Sequence, residues 1–142
     1  MRGGAVFAVL ALFAPMPAAA QAAADVPSRL ELADSALARG KALYGGDGNC
    51  AYCHGAAGAG TARGSDLTDG GWRHGDGGYL SIVEQIVHGV GHPTGGPVAP
   101  MPKRGMGNLT YPQVRAVAAY VWSLSHRVPP DTVAPAPPRR RR

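Results

Sequence analysis

The only two cysteines of this chain sit three residues apart, with a histidine directly after the second: Cys50-Ala51-Tyr52-Cys53-His54. Two side chains at that spacing lie on the same face of one helical turn. The two sulfurs and the imidazole can therefore all address a single bound group. Three other chemistries use paired cysteines. A redox dithiol of the thioredoxin kind sits beside a βαβ pattern, which this sequence lacks. A zinc site needs two further ligands at zinc spacing. His74, His88 and His92 are candidates, but there is no second cysteine pair. A plain disulfide is the third reading.

The string C-x-x-C-H is the attachment signature of c-type haem. Each thiol can bond one vinyl group, and the histidine then meets the iron. Imidazole is a strong iron ligand, and its orientation is fixed when its other nitrogen donates a hydrogen bond. Composition points the same way. Charged residues make up 16% of the 142, aromatics 6%, and there are 21 Gly and 13 Pro. A chain with so little packing material gains a core by wrapping a large apolar cofactor.

The first residues read as an export signal: Arg2, an apolar run from Ala5 to Ala14, then a small-residue stretch ending at Ala18-Ala19-Ala20. Cleavage is expected after Ala20 or Ala24, making residues 1–24 a signal peptide. The run falls short of the ~20 apolar residues a membrane span needs. Export agrees with haem attachment outside the cytoplasm, in the periplasm. The net charge of +5 is concentrated at the ends, in Arg2 and Arg139 to Arg142. The body is near neutral and lacks basic stripes with interleaved aromatics, so nucleic acid is not an expected partner.

The expected order of elements is all-α. Val26 to Tyr44 reads as a helix with a stripe of Leu30, Ala33, Leu37, Ala42 and Leu43, ended by Gly45-Gly46. Gly55 to Gly71 reads as loop. A second helix is predicted from about Gly78 to His88, with Asp76 as N-cap, Leu80, Val83, Ile86 and Val87 on one face, and Gly89 at its end. A long Gly/Pro-rich loop, Gly89 to Asn108, contains Met101 and Met106. The last helix opens on a Thr110/Gln113 capping box with Pro112 in the first turn. Its stripe is Val114, Val117, Ala118, Val121 and Leu124. Residues 128–142 are Pro- and Arg-rich and predicted disordered, which leaves 25–127 as the domain. The Arg tail offers contact with a membrane surface or an acidic partner.

From Leu32 to Ser125 the chain resembles class I c-type cytochromes. The likeness rests on Gly40-Lys41-Ala42-Leu43-Tyr44 with CAYCHG, on Leu67-Thr68-Asp69-Gly70-Gly71-Trp72, and on Met101-Pro102 ahead of LTYPQVRAVAAYVWSLS. LTDGGWRHGD is similar to cytochrome domains associated with alcohol dehydrogenases and terminal oxidases. The resemblance implies a small cytochrome c fold, three main helices and long loops around one covalent haem c on Cys50 and Cys53. Gly40 would lie where the terminal helices cross, with Tyr120 and Trp122 packing over it. His54 and a methionine would be the axial ligands. Met101 is the expected one, stiffened by Pro100 and Pro102. Met106 lies too close to Thr110 to reach, and His88 or His92 would give a bis-histidine iron.

With both axial positions filled, the expected role is one-electron transfer and not catalysis. The resemblance implies a dehydrogenase or quinol-oxidising complex as donor, and an oxidase or another cytochrome as acceptor. The rivals are a tightly bound subunit of a quinoprotein dehydrogenase or oxidase, and a haem peroxidase or gas sensor. Trp72 reads either as core packing or as a propionate contact, while Arg73 and His74 read as solvated loop. One departure stands out. The family commonly has a proline shortly before the Leu-Thr pair, and its carbonyl receives the histidine N–H. Here Gly64-Ser65-Asp66 precede Leu67, which leaves the accepting residue open.

Overall fold

A computed structural model describes residues 25–91 and 100–126. The predicted signal peptide, the Arg tail and His92 lie outside them. Among the described residues four helices follow in order: α1 (Asp34–Gly45), α2 (Ala51–His54), α3 (Tyr79–His88) and α4 (Tyr111–Ser125). Among the described residues the only strand-like pairing is one antiparallel bridge, Val90 to Met101. The all-α expectation holds. No helix among these residues is long and apolar enough to cross a membrane.

α1 starts later than the periodicity predicted. Its N-cap, Ala33, is extended (ψ 142°) and interrupts the helix. Residues 28–32 instead form a turn in which the N–H groups of Glu31 and Leu32 both donate to the Ser28 carbonyl, at 3.0 Å. Leu32 is thereby fully buried and Leu30 is 80% exposed, the reverse of the predicted stripe. The helix ends as expected, with the Gly46 N–H on the Ala42 carbonyl.

α3 matches its predicted span but differs in its cap and its face. Gly78 is the N-cap, and Asp76 acts from two residues upstream by accepting the Gly78 N–H at 3.0 Å. The buried residues are Tyr79, Ile82, Val83 and Ile86, while Leu80 is 46% exposed. Tyr79 decides the rotation. Its hydroxyl donates to Glu31, and that carboxylate also receives Arg115 Nε at 2.8 Å. With its polar tip satisfied, the ring can be buried at little cost.

α4 opens on the predicted Thr110/Gln113 capping box. Val114, Val117, Ala118, Ala119, Tyr120, Val121 and Trp122 are all buried. A helix buried on nearly every side is the centre of its domain. α1 crosses it at Gly40, against Ala116 and Tyr120. Tyr44 meets Tyr120 edge-on, with centroids 5.4 Å apart. α3 packs on another side, so α4 carries both long helices.

Candidate haem site

The C-x-x-C-H string forms the one-turn helix α2, so both thiols and the imidazole leave a single turn. Cys50, Cys53 and His54 all line one cavity of about 610 Å³, in the ~300–1,000 Å³ range of cofactor and ligand sites. Its apolar wall comes from Leu67, Ile82, Ile86 and Val121. The two cysteines are not joined in a disulfide. Burial pushes the Cys50 thiol up to about 11. A buried thiol that stays protonated is a poor metal thiolate. Among the described residues no three His, Cys, Asp or Glu side chains converge as a metal cluster; His92, one of the zinc candidates, lies outside them.

The open question of the histidine's acceptor is answered by Ser65. His54 Nδ1 lies 2.9 Å from the Ser65 carbonyl oxygen. A carbonyl only accepts, so Nδ1 carries the proton and Nε2 keeps the lone pair that binds a metal. The carbonyls at the end of α2 are held as well: Thr61 Oγ1 donates to Cys53 O, and the Gly60 N–H donates to His54 O at 2.8 Å.

Met101 comes to the same cavity from a separate segment. Its backbone is fixed by two hydrogen bonds with Val90, of 3.0 and 3.1 Å. Gly89 makes the approach possible, because a Cβ there would stand 2.5 Å from the Met101 carbonyl oxygen. Met106 also reaches the cavity rim, but it is 63% exposed, and its sulfur accepts a hydrogen bond from Asn49 Nδ2 at 3.1 Å. His88 stays on the surface, paired with Glu84 at 3.0 Å, and does not line the cavity.

Trp72 fits its core-packing reading. It packs against the core and lines the cavity, and its indole nitrogen rests where Gly77 lacks a side chain. Arg73 and His74 are exposed at the rim. Gln85 went unnoticed in the sequence, yet its amide donates to the His74 carbonyl at 2.9 Å and ties that rim to α3. The roles of Ser65, Thr61 and Gln85 run through backbone carbonyls, for which residue type gives no signal.

Two adjacent thiols, an imidazole with one nitrogen left for a metal, a thioether and an apolar wall fit a haem. The family model described as cytochrome c matches residues 37–125. Three curated relatives are subunits of cbb3-type cytochrome c oxidases. CcoP of Rubrivivax gelatinosus is 41% identical over 90 residues, 63% of this chain and 26% of that protein. FixP of Sinorhizobium medicae is 38% identical over 78 residues, 54% and 27% of the two chains. FixP of Azorhizobium caulinodans is 36% identical over 118 residues, 78% and 36%. The chain thus spans between a quarter and little more than a third of these relatives. No solved structure matches. The family match brings covalent haem c as the cofactor. The chain belongs to the cytochrome c family, an all-α electron-transfer fold built on that haem.

Proposed function

We propose that Cys50 and Cys53 attach the haem through thioether bonds and that His54 and Met101 are its axial iron ligands. In this reading the chain relays single electrons in the periplasm. The observation that carries it is the convergence of the C-x-x-C-H turn and Met101, from separate segments, on one cavity. Each thiol adds across one vinyl double bond, sulfur to one carbon and hydrogen to the other, so no atom leaves. Bound haem supplies a one-electron iron(III)/iron(II) couple. The chain sets its terms. The Met101 thioether is a soft donor that favours reduced iron and raises the potential. His54, donating from Nδ1 to Ser65, opposes this by becoming a stronger donor at Nε2. The apolar wall excludes water and disfavours added charge.

Filling both axial positions leaves no open coordination site, which favours electron transfer over a peroxidase or gas sensor. The donor is a dehydrogenase or a quinol-oxidising complex, and the acceptor is an oxidase or another cytochrome. The names of the relatives favour the oxidase side, and with it a second reading, a cytochrome subunit held by one enzyme.

The test is the intact mass and visible spectrum of exported, matured protein. One haem of added mass, a Soret band, a weak ferric band toward the red from methionine sulfur, and no carbon monoxide uptake by the reduced form are expected. Colourless protein at bare polypeptide mass overturns the reading. Gel filtration of a native extract distinguishes a diffusing carrier from a bound subunit.

A further inference from the structure

The hydrogen bond that orients His54 ends on a carbonyl in an awkward place. Ser65 lies in a loop with glycines at 55, 58, 60 and 64 and no proline. Glycine backbone ranges widely, so a carbonyl there holds no fixed position by itself. Something must hold Ser65 O on the imidazole.

Two clamps flank Ser65. On its N-terminal side, Thr61 closes a turn by donating its N–H to the Gly64 carbonyl at 2.9 Å. Its hydroxyl accepts the Arg63 N–H at 3.0 Å and donates to Cys53 O, one residue before His54. Gly64 lies flat on the same peptide, since a Cβ there would come 2.8 Å from Cys53 O. On the C-terminal side, Asp66 Oδ1 accepts the Thr68 N–H at 2.7 Å and the Thr68 hydroxyl at 2.6 Å. The Leu67 N–H closes the span on Gly58 O at 2.7 Å.

We infer that Thr61 and Asp66 are positioning residues for the haem: together they do what a rigid proline would do, pressing Ser65 O onto His54 Nδ1 and thereby setting how strongly His54 donates to iron. The inference rests on His54 being the axial ligand. A firm hydrogen bond at Nδ1 makes the ring a stronger donor, stabilises ferric iron and lowers the potential. Slackening either clamp therefore raises it.

The variants are Thr61→Val, which keeps shape and loses the hydroxyl, and Asp66→Ala, each read separately in matured protein. Each is expected to favour reduction about two- to tenfold, where tenfold is about 59 mV for one electron. In ferrous protein the His54 ring proton, followed by NMR, should exchange faster. Thr61→Ser, retaining the hydroxyl, should keep the parent potential. Ser65→Pro added to a Thr61→Val/Asp66→Ala double variant should return the potential toward the parent, because the Ser65 N–H makes no hydrogen bond among the described residues. Haem-loaded, six-coordinate variants with unchanged potential and ring-proton exchange overturn the inference, even if they melt earlier, since then the loop is only structural. Parent protein with haem but without histidine ligation overturns the ligation reading instead.

Discussion

Replacing Gly40 with alanine sets two effects of opposite sign against each other. In an isolated helix the change is favourable by ~1 kcal/mol, because alanine loses less backbone freedom. In this fold the added Cβ would fall inside the van der Waals shell of the Ala116 carbonyl oxygen, and 2.9 Å from both the Ala116 carbonyl carbon and Tyr120 Cβ. Two of those atoms belong to the α4 backbone, so no rotamer change relieves the contact. α1 must back away, which also loosens the Tyr44–Tyr120 ring contact. Overpacking of this kind costs ~1–3 kcal/mol. Taking the upper part of that range against the propensity gain leaves a net loss of about 2 kcal/mol. In a domain this small that lowers the melting temperature by roughly 8–16 °C. Thermal unfolding of oxidised, haem-loaded protein followed by circular dichroism measures it. Adding Ala116→Gly should not restore stability, since the clash is with backbone. An unchanged or raised melting temperature for Gly40→Ala would show that the helices do not cross here.

Met101→Ala should abolish the red methionine–iron band, lower the potential and open the reduced protein to carbon monoxide, whereas Met106→Ala, at the exposed rim, should leave the spectrum unchanged; the reverse outcome exchanges the two ligands. Burial alone would raise the Glu31 carboxyl, but hydrogen bonds from Tyr79, Ser28 and Arg115 outweigh it and bring the carboxyl below its ordinary 4.5. The stability it adds is complete above that value and disappears as pH falls through the lower folded value. Glu31→Gln should therefore cost about 1–2 kcal/mol at neutral pH and flatten the acid limb of a urea-stability profile; parallel acid limbs would contradict the linkage.

The parts of the fold legible in sequence were those fixed by local chemistry. Thr110 and Gln113 announce the start of α4 because a capping box is made by neighbours within one turn. Cys50 to His54 announces its helical turn and its cofactor because all three donors are contiguous. The misjudged elements depend on contacts that helical periodicity does not show. Leu30 and Leu32 are equally apolar, and only the turn at Ser28 selects Leu32 for burial. Tyr79 and Leu80 compete for the buried face of α3, and Glu31, far away in sequence, settles it for Tyr79. The Ser65 carbonyl was unreadable for a different reason: every residue carries a backbone carbonyl, so residue type does not mark the acceptor, and the family's proline is missing from this stretch.

Core and cofactor wall are one surface in this protein. Leu67, Ile82, Ile86 and Val121 belong to the buried cluster and also line the haem cavity. Val121 lies on α4 next to Tyr120, the residue that meets α1 at Gly40, so the group in the cavity and the helix crossing support each other through one helix. An empty cavity of about 610 Å³, at ~24 cal/mol per Å³, would cost up to about 15 kcal/mol. Water enters this open site, so the true cost is only part of that upper bound, set against the ~5–15 kcal/mol by which domains are stable. The chain should therefore not keep this fold without its haem. A Cys50→Ser/Cys53→Ser double variant made free of haem is expected to lose fixed tertiary structure, shown by collapsed near-ultraviolet dichroism and fast amide exchange in α1 and α4. A cooperative unfolding transition with protected amides in both helices would mean that the polypeptide packs by itself and that the cavity wall is not part of what holds the domain together.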